Sequence, residues 1–194
     1  ISDLISNISQ TVTMLNNYIC DTDWQLLKTA YTQLEDTDSW NSKWDFTTDH
    51  HDAARLPGVS VSKGRVVVLD LTYNNLSGTF PYALLDLPAL ETLYASYNQR
   101  TGNLGEGLQT YVGQHPDAGK SVKHLDVSVN QLEGNIGLVA SLLPSLTSLS
   151  ASANHFSEVS PMISSGIFVE LGGQTFDSEM NLTLKDATAA SLAN

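Results

Sequence analysis

The chain has 194 residues, 41% of them apolar, and 21 acidic against 9 basic side chains give it a formal charge of −12 and a pI near 4.5. That is enough apolar material for one packed domain. An acidic field of this size repels phosphate backbones and anionic headgroups, which argues against nucleic-acid and membrane partners and admits neutral or basic ones.

No apolar run approaches the roughly 20 residues a spanning helix needs, and no basic segment followed by an apolar one opens the chain. Beginning at Ile1 rather than methionine, the chain is expected to be a trimmed or processed product. Over residues 1–20, Ile1, Leu4, Ile5, Ile8, Val12, Leu15 and Ile19 recur at helical intervals. They read as a lid over an exposed hydrophobic end, or alternatively as an amphipathic helix for a partner. With Cys20 alone, no intrachain disulfide forms; the residue reads as a small core hydrophobe, with a reactive thiol as the alternative. Asp21 or Thr22 is placed to cap a second helix running to Leu34, with Trp24, Leu26, Leu27, Ala30, Tyr31 and Leu34 apolar. In TTDHHDAA, the residues Asp49, His50, His51 and Asp52 are chemically able metal ligands. Adjacent side chains seldom converge on one ion, however, and a polar loop is the expected reading, with no metal.

From Val66 the chain repeats itself. Four segments share the frame L-x-x-L-x-L-x-x-N, with first apolar positions Val66, Leu90, Val122 and Leu146 and second positions Leu69, Leu93, Leu125 and Leu149. The third positions are Leu71, Ala95, Val127 and Ala151, and the asparagines are Asn74, Asn98, Asn130 and Asn154. The L-x-L alternation is a short strand that cannot bury its apolar face alone, so successive strands are expected to stack as a parallel sheet over a common core. The asparagine ends each strand because its amide both donates and accepts, satisfying peptide groups in the turn. Gly78 and Gly134 permit the return bend, Phe80 and Ile136 point back inside, and Pro81 and Pro161 suit extended backbone on the far side.

These residues resemble the leucine-rich repeats of the plant-type subfamily, L-x-x-L-x-L-x-x-N-x-L-x-G-x-I-P. The first repeat matches nearly throughout, with Leu76, Gly78, Phe80 and Pro81; the third keeps Leu132, Gly134 and Ile136. The second departs after Asn98, with Arg100 at an apolar position and an insert from about Thr101 to Ser121, and the fourth has Glu158 where glycine belongs. Upstream, DWQLLKTAYTQL with Trp40 and Trp44 is similar to the amino-terminal cap of such proteins. Tryptophans stand where plant members carry paired cysteines, which resembles exported bacterial members. The resemblance implies an α/β fold: a short solenoid with a parallel sheet on its concave face and a helical cap. The expected division is residues 1–64 as cap, 65–161 as four repeats, and 162–194 as a terminating segment. In that last part, strand-like runs around Phe168–Leu171 and Asn181–Leu184 and a helix-like DATAASLAN read as a degenerate last coil or the start of a further one.

The resemblance further implies a non-catalytic module, extracellular, at the cell surface or periplasmic, that binds a protein or carbohydrate ligand through the concave face. The alternative is a structural spacer or capping module of a larger surface protein. Outward strand positions nominate Asp70, Tyr73, Tyr94, Tyr97, His124 and Asp126, whose rings and carboxylates suit a sugar or a peptide; the blander reading is a solvated sheet. The insert, with Tyr111 and His115 on a glycine-rich frame, is the other candidate surface, or a neutral change of length. It lacks the Lys-Ser/Thr ending of a phosphate loop. No G-x-S-x-G or H-E-x-x-H motif and no cysteine–histidine pairing appears, and Glu133 and Glu158 lack acid/base partners. Neither an enzyme nor a cofactor is expected. The sequons at Asn7, Asn75 and Asn181 carry no weight in an Asn- and Ser-rich chain.

Overall fold

A computed structural model of the chain describes residues 5, 17–34, 39–47, 51–159, 163 and 166–174. The repeat frame becomes two sheets. The larger has six strands in the order β1-β2-β4-β6-β8-β10: Val59–Ser62, Arg65–Asp70, Thr92–Tyr94, His124–Asp126, Ser148–Ser150 and Phe168–Glu170. β1 pairs antiparallel with β2, and every later pairing is parallel. The smaller sheet, wholly parallel, holds β3 (Ser77–Thr79), β5 (Gln99–Asn103), β7 (Gln131–Asn135) and β9 (His155–Glu158). Together with a few helices this is an α/β fold.

The register places Leu69, Leu93, Leu125, Leu149 and Val169 in one row across the larger sheet. The first four of these are buried, as are Val66, Leu90, Val122 and Leu146 and the row Leu71, Ala95, Val127 and Ala151. Phe80, Leu104 and Ile136 close the core from the far side. Each fully buried leucine contributes on the order of 1.5–3 kcal/mol, so the spine of the molecule is this apolar stack.

The asparagines form a ladder between coils. Asn98 Nδ2 donates to Leu71 O of the coil before it at 2.9 Å, and its Oδ1 accepts from Leu76 N at 2.9 Å. Asn130 repeats this with Ala95 O (3.0 Å) and Arg100 N (2.9 Å), and Asn154 with Val127 O and Leu132 N, both 2.9 Å. Each amide also donates to carbonyls two and three residues back in its own coil. Curling the chain around its own amide in this way forces the preceding residue into the left-handed region. Tyr73 and Tyr97 have φ of 54°, and Val129 and Ala153 have φ of 52°. This region is uncommon for residues other than glycine, and a genuine outlier for β-branched Val129.

Two ends of this ladder go beyond the repeat frame. Gln174 Nε2 donates to Ala151 O at 2.9 Å and its Oε1 accepts from Phe156 N at 3.0 Å, so a glutamine does the asparagine's work in a fifth coil carrying β10. At the other end, Asn74 Oδ1 accepts from Ser42 N (2.8 Å) and Asn41 Nδ2 donates to Tyr73 O (2.6 Å), so residues near Trp40 occupy the place of a preceding coil. Trp40, Trp44, Phe46 and Tyr31 pack edge-on or tilted at centroid distances of 5.1–6.1 Å. Helix α1 (Asp21–Gln33) begins at an N-cap Cys20 that makes no side-chain cap bond, rather than at Asp21 or Thr22; Cys20 is half-buried. In the first turn, buried Asp23 accepts from the Arg65 guanidinium (2.7 and 3.2 Å) and from Val66 N (2.8 Å), tying the helix to β2.

The second repeat does not break off after Asn98. Gly102, with φ of 89°, matches Gly78 and Gly134, and Leu104 follows it into the core. The extra residues lengthen helix α2 (Leu104–Gln114), capped by Asn103 Oδ1 accepting from Glu106 N, and the corresponding helix of the next coil is α3 (Ile136–Leu142). The glycine-rich insert is therefore helical, with Gly105 and Gly107 at close approaches: an added Cβ would stand 2.5 Å from Asn135 O and 2.0 Å from Tyr82 Oη respectively. Arg100 fills its apolar position while its Nη1 donates to the carbonyls of Ser77 and Thr79.

Of the stripe expected along residues 1–20, Ile5 is exposed and Ile19 buried; the other five lie outside the described residues. So do Asp49, His50 and Pro161, the sequons at Asn7 and Asn181, the run Asn181–Leu184 and the final DATAASLAN.

Candidate functional site

The outward face of the larger sheet is built in rows, because parallel strands in register place equivalent residues one coil apart. One row reads Asp70, Tyr94, Asp126, Ser150, Glu170; the next reads Val68, Thr92, His124, Ser148, Phe168. Past the strand ends, Tyr73 N donates to Ser96 O, Tyr97 N to Ser128 O and Val129 N to Ser152 O. This brings Tyr73, Tyr97, Val129 and Ala153 into a column, each just before its ladder asparagine. The Tyr73 and Tyr97 rings stack with centroids 4.2 Å apart and planes 17° from parallel. Tyr73 is 61% exposed, Tyr97 45% and Tyr94 41%.

The carboxylates are fixed by local bonds. Asp126 Oδ1 accepts from Ser128 N (2.9 Å) and Ser128 Oγ (2.6 Å), and Asp70 Oδ1 accepts from Thr72 N (3.0 Å). Glu170 accepts from Ser150 Oγ at 2.9 Å. His124 is exposed beside Thr92, which is nearly covered. Desolvation, and then the adjoining Tyr97 hydroxyl, push the Tyr73 phenol above its usual range. Of the six residues nominated from sequence as outward strand positions, Asp70, Tyr94, His124 and Asp126 share one face of one sheet, while Tyr73 and Tyr97 lie past the strand ends in the asparagine turns. Phe168 and Glu170, in the strand-like run noted around Phe168–Leu171, extend both rows; their alignment with them was not legible because their coil lacks an asparagine.

The insert builds a different cluster. Tyr111 stacks on His115 (4.1 Å) and on Tyr82 (5.9 Å), its hydroxyl donates to Asp86 Oδ2 at 2.7 Å, and His115 Nδ1 lies 3.0 Å from the same oxygen. Burial holds the Tyr82 phenol up at about 12; burial and then Asp86 raise Tyr111 as well. A cavity of about 180 Å³ opens beside these rings, lined among others by Ala30, Leu34, Phe80, Arg100 and Tyr111. These contacts fasten α2 to the 3-10 turn Tyr82–Asp86. His51 stacks on Trp24 at 4.7 Å and lies 3.1 Å from Asp21, so it packs against α1. Among the described residues, no group of three or more His, Cys, Asp or Glu converges as a metal site, and no helix is long and apolar enough to cross a membrane.

Comparison with known proteins agrees with this geometry. Residues 65–87 match the family model for a leucine-rich repeat. No functionally curated protein matches the sequence. Among solved structures, the leucine-rich repeat ectodomain of the Arabidopsis receptor kinase HAESA, in complex with an N-terminally extended IDA peptide hormone, is 28% identical with a TM-score of 0.62, over 80% of this chain and 25% of that one. The BIR2 ectodomain from Arabidopsis thaliana is 23% identical with a TM-score of 0.52, over 81% of this chain and 95% of that one. A pollen receptor kinase 3 is 22% identical with a TM-score of 0.54, over 78% of this chain and 71% of that one. The chain spans only 25% and 30% of the two HAESA chains it matches. These likenesses establish leucine-rich repeats and the fold of such ectodomains.

Proposed function

We propose that this chain is a non-catalytic binding module that recognises a protein or peptide partner outside the cytoplasm through the concave, tyrosine-bearing face of a short solenoid. Helix α1 and the tryptophan cluster serve as its amino-terminal cap. The observation that carries the reading is the stack of Tyr73 on Tyr97, with Tyr94 nearby, displayed to solvent on a backbone whose turns are held by the asparagine ladder. Rigid amphipathic rings are what interface centres use, since they bring large contact area at little conformational cost. HAESA, the 28% identical protein, was solved with a peptide hormone, which supports a peptide over a carbohydrate as the first partner to test. A plain spacer module would have no use for three exposed tyrosines held at left-handed or in-register positions.

The test is an array of short linear peptides and glycans probed with the purified chain, followed by the Tyr73→Asn and Tyr97→Asn variants. Asparagine tolerates positive φ, so these variants remove the rings without adding backbone strain. Each is expected to weaken binding by about tenfold or more. Binders unaffected by both substitutions would refute the assignment to this face.

A further inference from the structure

We infer that the tyrosine face takes an arginine side chain of its partner, the guanidinium stacking on the open side of the Tyr97 ring and pairing with Asp126. This rests on the binding role proposed above and names the chemistry it selects. The column Tyr73, Tyr97, Val129, Ala153 carries rings in its first two places only. Tyr73 covers one side of Tyr97 at 4.2 Å. On the other side the next coil offers half-buried Val129, and among the described residues no other ring contacts Tyr97. The stack thus ends one coil early, above an aliphatic floor, leaving a place for a flat group.

Charge then decides which flat group fits. The outward rows carry Asp70, Asp126 and Glu170 and neither lysine nor arginine, within a chain of charge −12. Asp126 belongs to the same coil as Val129. Its Oδ1 is held by Ser128, while its Oδ2 accepts no hydrogen bond among the described residues. A guanidinium is planar, weakly hydrated and able to lie flat on a ring while its edge donates to a carboxylate; a lysine ammonium is attracted to both but cannot lie flat, and an aromatic ring stacks without pairing with the carboxylate.

The experiment uses the same peptide array with the full chain. Bound peptides should be enriched in arginine over lysine. In the strongest binder, replacing the critical arginine by lysine or by citrulline, which is flat but neutral, should each weaken binding about tenfold. Tyr97→Asn should erase the difference between arginine and lysine peptides, and Asp126→Asn the difference between arginine and citrulline. Bound peptides without arginine preference, or a preference that survives Tyr97→Asn, would overturn this inference while leaving the binding role intact. An array with no bound peptide at all would overturn the binding role itself, and this inference with it.

Discussion

Replacing Asn130 with alanine probes the ladder at its centre. The asparagine side chain makes four bonds: Oδ1 accepts from Arg100 N, and Nδ2 donates to the carbonyls of Ala95, Val127 and Ser128. The carbonyls keep other donors, since Ala95 O also receives Asn98, Val127 O receives Asn154 and Ser128 O receives Tyr97 N. The Arg100 amide loses its buried acceptor, at about 1–3 kcal/mol. Adding three weakened carbonyls and the small void left behind, we expect a total loss of about 2–4 kcal/mol. Asn130→Asp should be no better, because a carboxylate still accepts from Arg100 N but faces three carbonyls with no donor. The neighbouring exposed Gln131→Ala should stay within about 0.5 kcal/mol of the parent. Urea denaturation followed by circular dichroism reads these differences as shifts in midpoint. If Asn130→Ala and Gln131→Ala melted at the same urea concentration, the ladder would not be holding the coils together.

Other perturbations separate the remaining contributions. Gly105→Ala should destabilise by about 1–3 kcal/mol because its Cβ meets a backbone carbonyl of Asn135, whereas Gly113→Ala, in the same helix with nothing within 4 Å, should stabilise by up to about 1 kcal/mol; thermal melts distinguish them. Asp23→Ala should cost about 1–3 kcal/mol, mainly through the unpaired Val66 amide, since Arg65 is partly exposed and rehydrates; chemical denaturation checks this. Tyr82 titrates near 12 in the folded chain against 10 for an ordinary tyrosine, so its contribution is complete below pH 10 and is lost as the pH rises to about 12. Tyr82→Phe, which also gives up the bond to Leu104 O, should therefore show a shallower fall in melting temperature across that window.

The parts of the fold written in strict spacing were legible. Leu69, Leu93, Leu125 and Leu149 fall in one row because a strand of period two leaves them nowhere else to be buried. Asp70, Tyr94, His124 and Asp126 share a face for the same reason, whereas Tyr73 and Tyr97 lie in the turns beyond the strands at left-handed φ. The strand of the fifth coil was legible as the run around Phe168–Leu171, but its place in the ladder was not, because Gln174 reaches the same carbonyl and amide with one more methylene, which no frame fixed on asparagine detects. The helix in the insert was not legible because glycines suggest turns, whereas Gly105 and Gly107 let α2 lie against Asn135 and Tyr82. Asp23 with Arg65, 42 residues apart, and Asp86 with Tyr111 and His115 are long-range meetings that no local pattern encodes. The Tyr73–Tyr97 stack was half legible: the shared column followed from the spacing, but the left-handed backbone that orients the rings is set by the amide ladder.

The most direct measurement is amide and aromatic chemical-shift mapping of the chain titrated with an arginine-containing peptide selected on the array. Saturable shifts at Tyr73, Tyr94, Tyr97 and Asp126 are expected, with quiet signals along Leu104–Gln114. Shifts confined to Tyr111, His115 and their helix, with the tyrosine column unmoved, would contradict binding at the tyrosine face.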